Sequence, residues 1–240
     1  MTDNITPEIY DRLILDQGLQ YQVDSYYRPK EISNNRRVQI VVEALDPRPG
    51  EKILDVGCGA GGFVFHCAKA KALAFGIDYS KVSIEAAANI CEKCGVSLNT
   101  RFLVGNAAYF PFKDSSFDKI VAADFIEHIS EEEKEMLLKE IRRVLKPCGI
   151  CVIFTPSAVR EKIGEAYWTM RHFLFGDKVP FNRLHFGLIN RFHFESLLKK
   201  NRFNFEFKYH DTTRPYFAKI PFFRHILALN FLWIVKKDGS

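Results

Sequence analysis

Residues 54–63, Leu54-Asp55-Val56-Gly57-Cys58-Gly59-Ala60-Gly61-Gly62-Phe63, place four glycines within six positions. The run Lys52-Ile53-Leu54 precedes them, and a helical pattern of Phe63, Val64, Cys67, Ala68 and Ala70 follows. Strand, glycine turn and helix is the local expectation. Glycines let backbone approach a ligand closely, and a helix start offers free N–H groups. Asp55 narrows the choice of ligand. A dinucleotide would set its anionic pyrophosphate at such a turn, where a fixed carboxylate repels it. A ligand carrying an amine and a sulfonium cation tolerates that acid.

Around this turn the chain alternates strand and helix patterns, which argues for a parallel sheet covered on both faces. Residues 33–45 read as a helix with Val38, Val41, Val42 and Leu45 on one side, stopped by Asp46-Pro47-Arg48-Pro49-Gly50. Strands are expected at 72–78, 100–105 and 117–124, with a helix at about 80–94. Ser130-Glu131-Glu132-Glu133 is a capping-box signal for a helix running to about Leu145. Lys146-Pro147-Cys148-Gly149 stops that helix, and a fifth strand covers 150–155. The stretch 156–190 is too long for an ordinary loop of roughly 2–6 residues. It holds an amphipathic helical piece at about 163–175 and reads as a lid or substrate-facing insertion. A helix at 192–200, a strand at 203–209 and a last strand at 229–236 follow, with 211–228 as a second candidate substrate wall.

The spacing Asp55-x-Gly57-x-Gly59-x-Gly61 resembles the first motif of the class I S-adenosylmethionine (SAM) dependent methyltransferases. The likeness is to the broad ubiquinone and menaquinone biosynthesis methyltransferase group (type 11 methyltransferases). Gly57-x-Gly59-x-x-Gly62 alone also satisfies the dinucleotide fingerprint, so the order of the later motifs carries the resemblance. It covers about residues 38–156 by motif and the last third as topology. It implies an α/β fold with a seven-stranded, mostly parallel sheet in the order 3-2-1-4-5-7-6. Strand 7 runs antiparallel and helices cover both faces. One domain over 1–240 is expected, with an N-terminal helical segment at 1–45 and the insertion at 157–190.

The same resemblance assigns SAM contacts. Asp55, Gly57, Cys58, Gly59 and Gly61 form the cofactor-binding turn. Asp78, 21 positions after Gly57 and beside Tyr79, suits two ribose hydroxyls, as a helix-starting turn acid would also explain. Asn106-Ala107 stands where the family has Asp-Ala; the Asn106 carbonyl can accept from the adenine amine, or close a turn. Asp124 and Phe125 end the fourth strand beside the methionine part and the acceptor. His128 is the candidate catalytic base because imidazole titrates near neutrality, with a structural role as its competitor.

The last third differs in composition from the rest. Residues 151–240 carry 15 Lys/Arg against 7 Asp/Glu, whereas residues 1–150 carry 19 against 22. That third also holds 14 of the 22 Phe. A basic aromatic surface fits an anionic or amphipathic acceptor, a phospholipid headgroup or RNA, and equally a solvated surface over an aromatic core. Trp168, Arg171 and His185 in the insertion are the substrate candidates, against ordinary packing. Two Cys-x-x-Cys pairs, Cys91/Cys94 and Cys148/Cys151, raise a zinc site. The family's strand order sets them roughly 19 Å apart, too far for shared ligands, so no metal is expected. The N-terminal residues 1–8 are polar, with Pro7, and no apolar run is long enough to span a bilayer, so a soluble cytoplasmic protein is expected.

The expected reaction is in-line transfer of the SAM methyl to an oxygen, nitrogen or carbon nucleophile of a small or amphipathic acceptor, leaving S-adenosylhomocysteine. The alternatives are an RNA methyltransferase, a nicotinamide-dependent oxidoreductase, and a SAM-binding module without catalysis.

Overall fold

The computed structural model describes residues 11, 23–28, 30–176, 187–210 and 230–238. Seven strands form one sheet: β1 (Lys52–Val56), β2 (Leu73–Asp78), β3 (Thr100–Val104), β4 (Phe117–Ala123), β5 (Leu145–Pro156), β6 (Phe203–His210) and β7 (Asn230–Lys237). Their order is β3-β2-β1-β4-β5-β7-β6. The first five are parallel, and β7 enters antiparallel to both β5 and β6.

Alternation along the strands explains the two layers of helix. Ile53, Val121, Val152, Phe154 and Leu232 face α1 (Ile32–Leu45) and α2 (Gly62–Lys69), which contribute Val41, Leu45, Val64 and Cys67. Leu54, Ile120, Cys151, Ile153 and Trp233 point to the other face. There they meet Leu137 and Ile141 of α4 (Glu131–Val144) and Phe194 and Leu198 of α6 (Arg191–Lys200). Adjacent residues on one strand thus serve opposite cores, as the period of two requires. α3 (Lys81–Lys93) starts at Ser80, whose hydroxyl accepts from the Ser83 N–H. α4 carries the full capping box between Ser130 and Glu133.

Two boundaries depart from the sequence reading. β5 begins at Leu145, not near residue 150, because Leu145 is buried and pairs with Phe117. The register shifts between Phe117 and Lys119, which accommodates Pro147 within the strand. The helix in the insertion, α5 (Ala158–Phe175), starts directly after Ser157 rather than near residue 163. The expected wall at 211–228 lies outside the described residues.

The strand order reverses between β1 and β4, and the crevice at their carboxyl ends is where open α/β sheets take ligands.

Candidate active site

β1 ends at Val56, and the glycine turn is hooked to β2 by two bonds: the Gly57 and Cys58 N–H groups donate to the Ile77 carbonyl at 2.9 and 3.1 Å. Gly57 has φ +67°, and a Cβ there would stand 2.1 Å from the Phe125 ring. Only glycine meets both demands. Phe125, expected beside the cofactor, therefore packs onto the turn itself. At Gly62 a Cβ would stand 2.4 Å from that of Tyr26, so the start of α2 is pressed against an N-terminal side chain.

Asp55 is 3% exposed, and its Oδ2 has no hydrogen-bond partner. Burial, then the Asp78 carboxylate, pushes its pKa well up, against one bond from the Val64 amide. Asp78 is also buried. Its Oδ2 accepts from the Gly59 N–H and its Oδ1 from the Ser80 N–H, each at 2.9 Å. Burial raises its pKa while these amides oppose the rise. The same burial and the two acids push the Cys58 thiol up.

Asp124 follows β4 with φ +52°, a left-handed conformation that costs free energy in a non-glycine residue and is tolerated best by Asp and Asn. Its N–H donates to Phe154 at 2.9 Å, and its Oδ2 lies 3.2 Å from Arg37 Nη1. A cavity of about 70 Å³ is lined by Asp55, Gly57, Cys58, Gly59 and Asp124, all expected there. Gly61 stands beside it as the residue preceding α2.

The roof of this cavity was not legible. Tyr26 and Tyr27 line it from a π-helical turn, Val23–Tyr27. The Tyr27 hydroxyl donates to the Ala60 carbonyl of the turn, and burial pushes its phenol up. Tyr26 donates to Asp124 Oδ2 at 3.4 Å, lies 4.6 Å under the Arg37 guanidinium, and its carbonyl accepts from His66 Nε2 at 2.7 Å. A pair of tyrosines before α1 was the available signal, but no periodicity marks it.

Other expected residues do not line this cavity. Asn106 is exposed and its Oδ1 accepts from the Ala108 N–H at 2.8 Å, the turn role. The same oxygen has a second lone pair for an amine. Ala107 and Tyr79 are half-buried. His128 ends a short 3-10 turn, Ile126–His128, half-buried, its N–H donating to Phe125. Its neighbour Glu127 is 1% exposed and accepts from the Thr155 hydroxyl at 3.0 Å. Burial and then Asp124 push Glu127 up to about 8. Arg171 lies on α5 against Tyr167. The Trp168 side chain and all of His185 lie outside the described residues. All six cysteines are free thiols. Among the described residues no cluster of His, Cys, Asp or Glu gathers as a metal site.

A family model described as a methyltransferase domain matches residues 47–204. Over 112 residues the chain is 35% identical to norajmaline N-methyltransferase of Rauvolfia serpentina, covering 46% of this chain and 38% of that protein. Over 108 residues it is 37% identical to sterol 24-C-methyltransferase ERG6B of Gibberella zeae, covering 45% and 28%. The chain thus spans well under half the length of these relatives. Among solved structures, phosphoethanolamine N-methyltransferase 2 of Haemonchus contortus in complex with SAM aligns with a TM-score of 0.61 at 21% identity, covering 85% of this chain and 53% of that one. That likeness is one of fold.

Proposed function

The chain belongs to the methyltransferase-domain family of the class I SAM-dependent fold, and on that premise we propose that it transfers the SAM methyl group to a nucleophilic oxygen, nitrogen or carbon of a small or amphipathic acceptor. The observation that carries this reading is Asp55. A buried carboxylate oxygen without a partner, at the cavity wall and beside Asp78, calls for a cationic ligand. An ammonium offers it a donor and favours its ionised form against the burial that raises its pKa, whereas a pyrophosphate brings a like charge beside it and Asp78.

The residues fit SAM in order. The free oxygen of Asp55 accepts from the amino-acid ammonium, and the glycine turn supplies close backbone. Asp78 offers the remaining lone pairs of a carboxylate already fixed by Gly59 and Ser80 to the two ribose hydroxyls. Asn106 and Ala107 stand at the adenine end. The sulfonium supplies the leaving group, so the protein's work is alignment and exclusion of water. Tyr26 and Tyr27 cover the cavity and serve the second task. His128 takes the acceptor's proton where the nucleophile has one to lose, and the insertion that begins at α5 faces the acceptor.

Asp55→Asn and Asp78→Ala are expected to weaken SAM binding at least about tenfold, the order of a lost charge-assisted hydrogen bond. Calorimetry reads the affinity, and circular dichroism checks that the fold persists. Unchanged affinity in folded Asp78→Ala removes the ribose assignment, and in folded Asp55→Asn it removes the ammonium assignment.

A further inference from the structure

α5 leaves the carboxyl edge of β5, the edge that carries Asp124, and over its second half it turns apolar side chains outward. Tyr167, Met170 and Leu174 recur at the three- and four-residue spacing of one helical face, and Phe173 and Phe175 flank them. All five are exposed, Phe173 at 88% and Phe175 at 71%. A helix serving the core buries such a stripe and turns its charges to water. Among the described residues of α5 none is buried.

Charge says what this face meets. Residues 166–175 contain Arg171 and His172 and no Asp or Glu. The Arg171 guanidinium lies 5.9 Å from the Tyr167 ring and 5.7 Å from the Phe175 ring, so a cation sits within the apolar stripe. The last third of the chain carries the excess of 15 Lys/Arg over 7 Asp/Glu. A surface of anionic phospholipid offers acyl chains to the stripe and phosphates to the arginine, the arrangement of helices that lie in a membrane interface.

We propose that the exposed face of α5 seats the protein on an anionic phospholipid bilayer, from which it takes an amphipathic acceptor. Only the word acceptor rests on the methyl-transfer reading; surface binding is measured apart from it. The full chain is sedimented with phosphatidylcholine vesicles prepared with or without phosphatidylglycerol. Retention is expected on the anionic vesicles, falling as salt is added. The double substitution Phe173→Ser/Leu174→Ser is expected to weaken it at least about tenfold. Both side chains are exposed, so the variant keeps its core, which circular dichroism verifies, and its SAM affinity stays that of the wild type. Loss of SAM binding in the wild type would count against the function, not against the surface. No retention of wild-type protein on anionic vesicles, or equal retention of the folded double variant, overturns the proposal. So does a concentration-dependent dimer that the same substitutions dissociate.

Discussion

Burial pushes the pKa of Asp55 and of Glu127 upward, but their surroundings give them different tasks. Asp55 keeps an unpartnered oxygen at the cavity wall, whereas Glu127 is held by Thr155 behind Asp124. The Glu127 carboxyl, raised to about 8, is largely protonated near neutrality and works as a neutral brace between the turn Ile126–His128 and β5. The sign of its pH effect follows. An acid with a folded-state pKa above its unfolded value binds its proton better when folded. Its stabilising contribution is complete below the ordinary glutamate value of 4.5 and is lost as pH rises towards 8. Glu127→Gln removes that titration and keeps an acceptor for Thr155. The melting temperature of the variant is expected to decline less than that of the wild type between about pH 5 and pH 9. Asp55 contributes a slope of the same sign in both proteins, so the comparison isolates Glu127. Parallel declines would contradict the assignment. At this scale the sequence exposed Asp55 but neither its ionisation nor the role of Glu127, because burial depends on neighbours far along the chain.

Elements that announce themselves locally were the legible ones. Ser130-Glu131-Glu132-Glu133 forms the capping box that its pattern foretold, with the Ser130 hydroxyl accepting from the Glu133 N–H and the Glu133 carboxylate from the Ser130 N–H. Ser130→Ala is expected to cost about 1 kcal/mol in denaturant unfolding, and no loss would show that α4 is held by packing alone. The start of β5 was misread because Pro147 and Gly149 look like a stop. Its pairing with β4 is a tertiary fact: Leu145 finds Phe117, and a Cβ at Gly149 would meet the Asp118 carbonyl at 2.7 Å. The roof over the cavity is the clearest failure of local reading. Tyr27 reaches Ala60, 33 positions away, and Tyr26 reaches Asp124, 98 positions away. A single π-helical turn has no repeat from which such contacts could be inferred.

The molecule as a whole was legible in its sheet. Strand order and the antiparallel β7 agree with what the glycine motif implied by resemblance. The buried strands alternate their loyalty between two helix layers, so continuous apolar runs such as 150–154 were readable as interior strands. The same sheet brings Asp55, Gly57, Cys58, Gly59 and Asp124 to one cavity at the point where strand order reverses. Gly61, Asp78, Tyr79, Asn106, Ala107, Phe125 and His128, also expected at the site, do not line that cavity, and neither does Arg171 on α5. Titration calorimetry of the full chain with SAM, and separately with NAD, tests the central claim most directly. A cavity walled by Asp55 and Asp124 is predicted to give saturable one-site heat with SAM and none with NAD. Heat with NAD and none with SAM would contradict it.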